Sequence, residues 1–235
     1  MTMARYQRAG GRRAAAGGLM VIPLVLLFTL AFMALGYVAY ALWPRWPEPP
    51  VAADAPALPV VVGDVLFNVP PQAMRIAMQR RAGRQERIDL VYLWPSLTPP
   101  DPSATAAPQA TEGRVFVTIA AAAGALPPLD RLKTIYPRYT ASEPSPTDSG
   151  LAFFAFRDGT PYQGEDLVFD PNAPDKFLAR CSRSANALTP ATCLAESRIA
   201  DAHITVRFPR DWLGQWRDVE AGIGRLIAQL RERMG

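Results

Sequence analysis

Four carboxylates, Asp158, Glu165, Asp166 and Asp170, fall within thirteen residues of one another around Gly159-Thr160-Pro161-Tyr162-Gln163-Gly164. Carboxylates at that density can share a Ca²⁺ ion, or divide acid and base work in a hydrolase or lyase through Asp158, Glu165 and Asp166. The spacing is not that of an EF-hand loop, and glycine, proline and acidic residues are also ordinary turn chemistry. A structural turn, a binding loop and a catalytic carboxylate pair are therefore the three readings of this segment.

His203 is the only histidine in the chain. A Ser-His-Asp or Cys-His mechanism would have to use it, and no Gly-x-Ser-x-Gly elbow supplies a serine. Multi-histidine metal sites are excluded by count. With Ile204, Val206 and Phe208 turned to a core, His203, Thr205 and Arg207 point the other way, and His203 is expected to be exposed.

Cys181 and Cys193 are the only cysteines. An even count in a domain outside the cytoplasm favours a disulfide over free or intermolecular thiols. A zinc site using both cysteines and His203 is the rival, although the spacing matches no zinc signature. The pair is not a Cys-x-x-Cys redox motif.

Arg75, Arg80, Arg81, Arg84 and Arg87 form a basic run opposed only by Glu86. The run is either a solvated face or a site for an anionic partner: lipid headgroups, a cell-wall polymer or the acidic surface of an envelope protein. No phosphate loop and no dinucleotide fingerprint is present, so no cofactor is expected.

The elements that must position these groups begin with a hydrophobic stretch. Residues 19–43 hold no charged side chain and follow Arg5, Arg8, Arg12 and Arg13. At about 1.5 Å per residue they can cross a hydrocarbon core of roughly 30 Å. The positive tail predicts a cytoplasmic N-terminus at residues 1–18 and a periplasmic remainder, with the segment as a single-pass inner-membrane anchor. Tyr37, Tyr40, Trp43 and Trp46 suit the outer headgroup level. Ala39-Tyr40-Ala41 keeps a cleaved signal peptide as the alternative, although the apolar run exceeds a secretory core of about 7–15 residues.

The net charge of +4 comes from that tail: the four arginines ahead of residue 44 leave 21 basic residues against 21 acidic ones. A neutral external domain gives no basis for nucleic-acid binding. Residues 44–59 include six prolines, predicting a stiff, extended spacer.

Residues 60–235 are long enough for one domain with a core. The patterns predict a strand at 60–69, a helix at 71–82 opened by Pro70-Pro71, and a strand at 87–94, apolar on both faces and so central in its sheet. Residues 95–113 read as a long, disordered proline-rich loop, 114–121 as a strand, 127–136 as a short helix and 138–149 as a second loop. Strands at 151–157 and 165–170 pair across the carboxylate loop. Strands at 177–181, 193–199 and 202–208 form an antiparallel meander. Beyond Pro209, Trp212, Trp216, Val219, Ile223, Leu226, Ile227 and Leu230 make the stripe of a helix lying on the sheet. The fold class is α+β: an antiparallel or mixed sheet packed by a long C-terminal helix.

The runs Asn68-Val69-Pro70-Pro71, Arg84-Gln85-Glu86-Arg87-Ile88-Asp89-Leu90 and Leu93-Trp94-Pro95-Ser96-Leu97 carry a resemblance. So do Thr134-Ile135-Tyr136-Pro137-Arg138-Tyr139, Gly159-Thr160-Pro161-Tyr162-Gln163-Gly164-Glu165-Asp166-Leu167 and Val206-Arg207-Phe208-Pro209-Arg210. Over residues 60–230 the chain is similar to a family of single-pass, membrane-anchored periplasmic proteins of Gram-negative bacteria, to which no activity is attached. The resemblance implies location and fold, and transfers no functional residue. A periplasmic binding or scaffold module is the leading expectation, and a carboxylate hydrolase or lyase the rival.

Overall fold

The computed structural model describes residues 16–42, 51–52, 54–101, 113–146, 149–183 and 190–231. The chain divides into two compact units, Met1–Pro49 and Pro50–Gly235. In the first, α1 (Ala16–Leu42) is apolar on every side, and its segment Val21–Leu42, with a mean hydropathy of 2.4, is long and apolar enough to cross a membrane. Such a helix fits an anchor or a signal sequence.

The second unit opens on a hairpin, β1 (Leu58–Val62) and β2 (Val65–Val69), where the apolar run predicts one strand. Gly63 makes the turn. It sits at φ +59°, and a Cβ there would lie 2.5 Å from the Asp201 carbonyl oxygen, so only glycine fits both the conformation and the contact.

The helix predicted at 71–82 does not form. Two 3₁₀ turns, Pro71–Ala73 and Ala77–Gln79, take its place. Between them Met74 bridges to Leu90 and the Arg75 N–H donates to the Asp89 carbonyl at 2.9 Å. Both partners belong to β4 (Arg87–Leu93), which ends the large sheet instead of occupying the predicted central position. Its unpaired edge competes for the backbone groups a helix would have used internally, and capping that edge removes a liability. Burial on both faces, the part of the expectation that holds, needs no central position. A two-residue strand, β3 (Gly83–Arg84), pairs in parallel with β1.

The large sheet continues with β5 (Arg114–Ala121), β6 (Ser145–Pro146), β7 (Ala152–Ala155), β8 (Glu165–Phe169), β9 (Leu178–Ser182), β10 (Thr192–Ile199) and β11 (Ala202–Pro209). The order is β4-β5-β11-β10-β9-β8-β7-β6, and every neighbouring pair is antiparallel. The predicted meander is present with boundaries displaced by a residue or two. The short helix is α2 (Pro128–Thr134), and the last is α3 (Trp216–Arg231), entered through a 3₁₀ turn at Arg210–Gln215. Residues 102–112 of the first expected loop lie outside the described residues. The second follows a 3₁₀ turn at Tyr136–Arg138 and carries β6, and its residues 147–148 lie outside the described residues.

Hairpin β1–β2 and α3 cover one face of the large sheet and bury Phe67, Ile88, Leu90, Ile119, Ile204 and Phe208 among others. The stripe of α3 turns inward, as its periodicity predicts. The helix comes so close that a Cβ on Gly222 would meet the Trp94 ring at 2.8 Å. The opposite face carries a smaller cluster, Tyr136, Phe156, Leu167 and Leu178, packed with Leu132 and Ile135 at α2.

Candidate functional site

Residues directly opposite in an antiparallel ladder share a face. Leu93↔Arg114, Val91↔Phe116 and Asp89↔Thr118 across β4–β5, with Phe116↔Arg207, Thr118↔Thr205 and Ala120↔His203 across β5–β11, therefore define one continuous surface, the side away from α3. Across β10 and β9 the same surface carries Arg198, Glu196, Leu194 and Arg180.

The half of this surface beside α2 is closed and charge-balanced. Arg131 Nη2 lies 2.6 Å from Glu196, and Arg180 reaches Glu165 at 2.8 Å and Glu196 at 3.8 Å. Arg180 also lies 5.2 Å over the Tyr162 ring. Burial first, then the Glu196 charge, push the Tyr136 phenol up to about 12. His203 is half-buried here, not exposed as expected. Burial chiefly, with the Arg131 and Arg198 charges, lowers its pKa against the opposing pull of Glu196.

The other half is open and cationic. The Arg75 guanidinium sits 4.8 Å from the Phe116 centroid, and Arg207 lies directly opposite Phe116 in the ladder. Arg114, two residues before Phe116 on β5, shares the face. Among the described residues no acid pairs with Arg75, Arg114 or Arg207. The acid beside them, Asp89, is already saturated: Arg87 donates from Nη2 at 2.7 Å and Nε at 2.9 Å, Thr118 Oγ1 at 2.9 Å and Gln79 Nε2 at 3.1 Å. Burial raises the proton affinity of Asp89, but the hydrogen bonds from Arg87, Gln79 and Thr118 outweigh it and hold the carboxyl below its ordinary pKa. Three guanidinium groups around a half-exposed ring can grip carboxylates and stack on planar groups.

The basic run singled out in the sequence is dispersed. Arg75 alone joins the open face. Arg80 donates to the Met74 carbonyl at 3.2 Å, Arg84 to the Gly63 carbonyl at 2.8 Å, and Arg87 serves Asp89, while Arg81 is exposed. Arg114, Phe116 and the role of Arg207 are missed by reading local runs. Their signal is the period-two alternation of β5 and β11, which acquires meaning once those distant strands are paired.

The carboxylates are likewise separated. Glu165 and Asp166 leave β8 on opposite faces: Glu165 joins Arg180, and Asp166 accepts from Arg210 Nη2 at 2.6 Å with Arg183 Nε at 3.6 Å. Asp158 is 96% exposed, 4.0 Å from Arg183. Asp170 caps its own turn, accepting from the Asn172 N–H at 2.9 Å. Cys181 and Cys193, opposite one another in β9–β10, are joined as a disulfide, which commits both sulfurs that a zinc site would need. Among the described residues no group of three or more His, Cys, Asp or Glu is placed to hold a metal.

No protein-family model and no curated protein matches the chain. Two solved structures align with it. The immunity protein Smlt3025 of the Stenotrophomonas maltophilia type IV secretion system aligns over 80% of this chain and all of its own, at 16% identity and a TM-score of 0.55. The iron-regulated outer membrane lipoprotein FrpD of Neisseria meningitidis aligns over 77% of this chain and 97% of its own, at 9% identity and a TM-score of 0.46. At these identities the likeness to Smlt3025 is one of fold. It places the α+β domain among known architectures and assigns no role to Arg75, Arg114 or Arg207.

Proposed function

We propose that this protein is a single-pass, inner-membrane-anchored binding module of the bacterial envelope. Its N-terminus is cytoplasmic, the proline-rich residues ahead of β1 act as a spacer, and its α+β domain stands in the periplasm. That domain engages an acidic protein surface through Arg75, Arg114 and Arg207. The single observation that carries this reading is the charge asymmetry of one sheet face: beside α2, Arg131 and Arg180 have glutamates and Arg198 has Asp201, while among the described residues no acid pairs with Arg75, Arg114 or Arg207 around Phe116. Arginines left without acids on a folded surface are suited to a partner that brings its own.

The apolar helix and the arginine tail support the anchor and its orientation. The disulfide suits an oxidising compartment. A shared fold with an immunity protein supports a binding role, and Glu165 and Asp166, on opposite faces of β8, do not pair with each other. The test is purification of full-length protein from native membranes, alongside a variant carrying Arg75→Glu, Arg114→Glu and Arg207→Glu. A stoichiometric acidic partner lost from the variant, with melting unchanged, is the expected result. A partner retained by the variant, or none with the parent, overturns the proposal.

A further inference from the structure

On the α3 side of the sheet, away from the arginine face, β9 stops short of its neighbour. Its ladder with β10 covers Cys193, Leu194 and Ala195, so among the described residues no strand pairs with β10 along 197–199 on the side away from β11. The chain leaves the sheet just before Leu178: the Lys176 and Phe177 N–H groups both bond to the Ala173 carbonyl in a turn.

The orientation of the exposed edge follows from the register. In the two-residue hairpin joining β10 to β11, the closing pair Ile199↔Ala202 exchanges its backbone bonds inside the hairpin. Alternation then turns the N–H and C=O of Glu196 and Arg198 away from β11. The Glu196 N–H closes the last β9 ring on the Leu178 carbonyl, as the Ala195↔Ala179 pair requires, and the Glu196 C=O and both Arg198 groups face the missing strand. The 4.0 Å Cα separation of Cys181 and Cys193 gives the same phase, because pairs this close do not exchange hydrogen bonds across β9–β10. Beside this edge runs a groove of about 350 Å³, walled by α3 at Ile223 and Ile227 and by Phe177, with Ser197 and Ile199 on its floor.

We propose that this groove takes an extended segment of a partner protein, which adds as a strand to the 197–199 edge of β10. The Glu196 C=O and the N–H and C=O of Arg198 supply the hydrogen bonds, and α3 supplies the pocket for alternate side chains. Three or four residues suffice to span the edge. Those opposite Ser197 and Ile199 point toward Ile223 and Ile227 and are apolar. Of the charged residues lining the groove, Lys176 and Arg231 offset Asp175 and Glu220, and the carboxylate of the fifth, Glu196, is paired with Arg131, so the groove fits an uncharged segment, unlike the face around Phe116. The inference stands independently of that face, and the two fail separately.

The experiment selects a phage-displayed random heptapeptide library on the full-length protein in detergent. It then measures the affinity of an enriched peptide synthesised with one N-methyl group at each amide in turn. Strand addition predicts an alternating profile, with about tenfold or greater loss at every second amide and little change between. Ala228→Trp and Gly224→Trp, both at exposed helix positions lining the groove, should each cut binding at least tenfold with the melting temperature preserved. Having two variants keeps the test decisive if one misfolds. Arg207→Glu should leave binding unchanged. No heptapeptide enriched on the parent over Ala228→Trp, an N-methyl profile without alternation, or loss on Arg207→Glu overturns the proposal.

Discussion

Arg207 lies directly opposite Phe116 across the β5–β11 ladder, and the Arg75 guanidinium covers the same ring from 4.8 Å. The ring thus has one cation over it and another as its cross-strand neighbour, from positions 132 residues apart in the chain. Neither needs the other to fold, since each is solvent-exposed, and their shared feature is what they leave unpaired.

The neighbouring Asp89 cluster makes the opposite prediction, that removal costs stability. Asp89→Asn loses the charge-assisted bonds from Arg87 and should destabilise the domain by about 1–3 kcal/mol. Because the folded pKa is depressed, this contribution is present above the unfolded value of about 3.9 and is lost as pH falls through the folded value. Urea midpoints between pH 2 and 5 should therefore be less acid-dependent in the variant. Equal acid dependence would remove Asp89 from the account.

His203 governs a separate window. Its folded pKa lies below 6.5, so the unfolded chain takes up the proton first as pH falls. Stability contributed by the neutral imidazole is complete above 6.5 and declines as pH drops from there toward the folded value. Since the chain has no other histidine, His203→Gln should flatten the urea midpoint between pH 7 and 5. A slope unchanged by the substitution would contradict this placement.

Gly63 is fixed by conformation and contact together. Gly63→Ala should cost about 1–2 kcal/mol from the left-handed backbone alone, with more from displacement of the Asp201 carbonyl. Differential scanning calorimetry should register a melting temperature lower by several degrees. An unchanged value would mean the hairpin turn is not held against Asp201.

The Cys181–Cys193 bond closes a loop with a sequence separation of 12. The chain-entropy model gives it roughly 3 kcal/mol, so reductant should lower the urea midpoint measurably while the antiparallel pairing of β9 and β10 keeps native circular dichroism. Identical midpoints with and without reductant would show that the ladder alone holds this region.

How far the sequence reaches depends on the range of the interaction concerned. The stripe of α3, the β10–β11 hairpin and the Cys181–Cys193 pair are written in local periodicity or count, and all three are present. The segment 71–82 is misread because its helical pattern competes with an edge, that of β4, which no local window contains. Residues 60–69 are misread because Gly63-Asp64 is a turn signal set between two short apolar runs that read together as one strand. The candidate site is the least legible part. Arg75 is visible as one charge in a cluster, yet its partners Arg114, Phe116 and Arg207 converge only through pairing of strands nearly ninety residues apart.

The most direct measurement places a photo-crosslinking amino acid at Thr205, beside Phe116 and Arg207, in the full-length protein within native membranes. A matched control carries it at Arg225, exposed on α3. A single adduct with an acidic envelope protein from position 205, absent from 225 and abolished by Arg75→Glu, Arg114→Glu and Arg207→Glu together, is the predicted result. An adduct that survives the charge reversal, or a position 205 that captures nothing, would contradict the arginine face as the site of function.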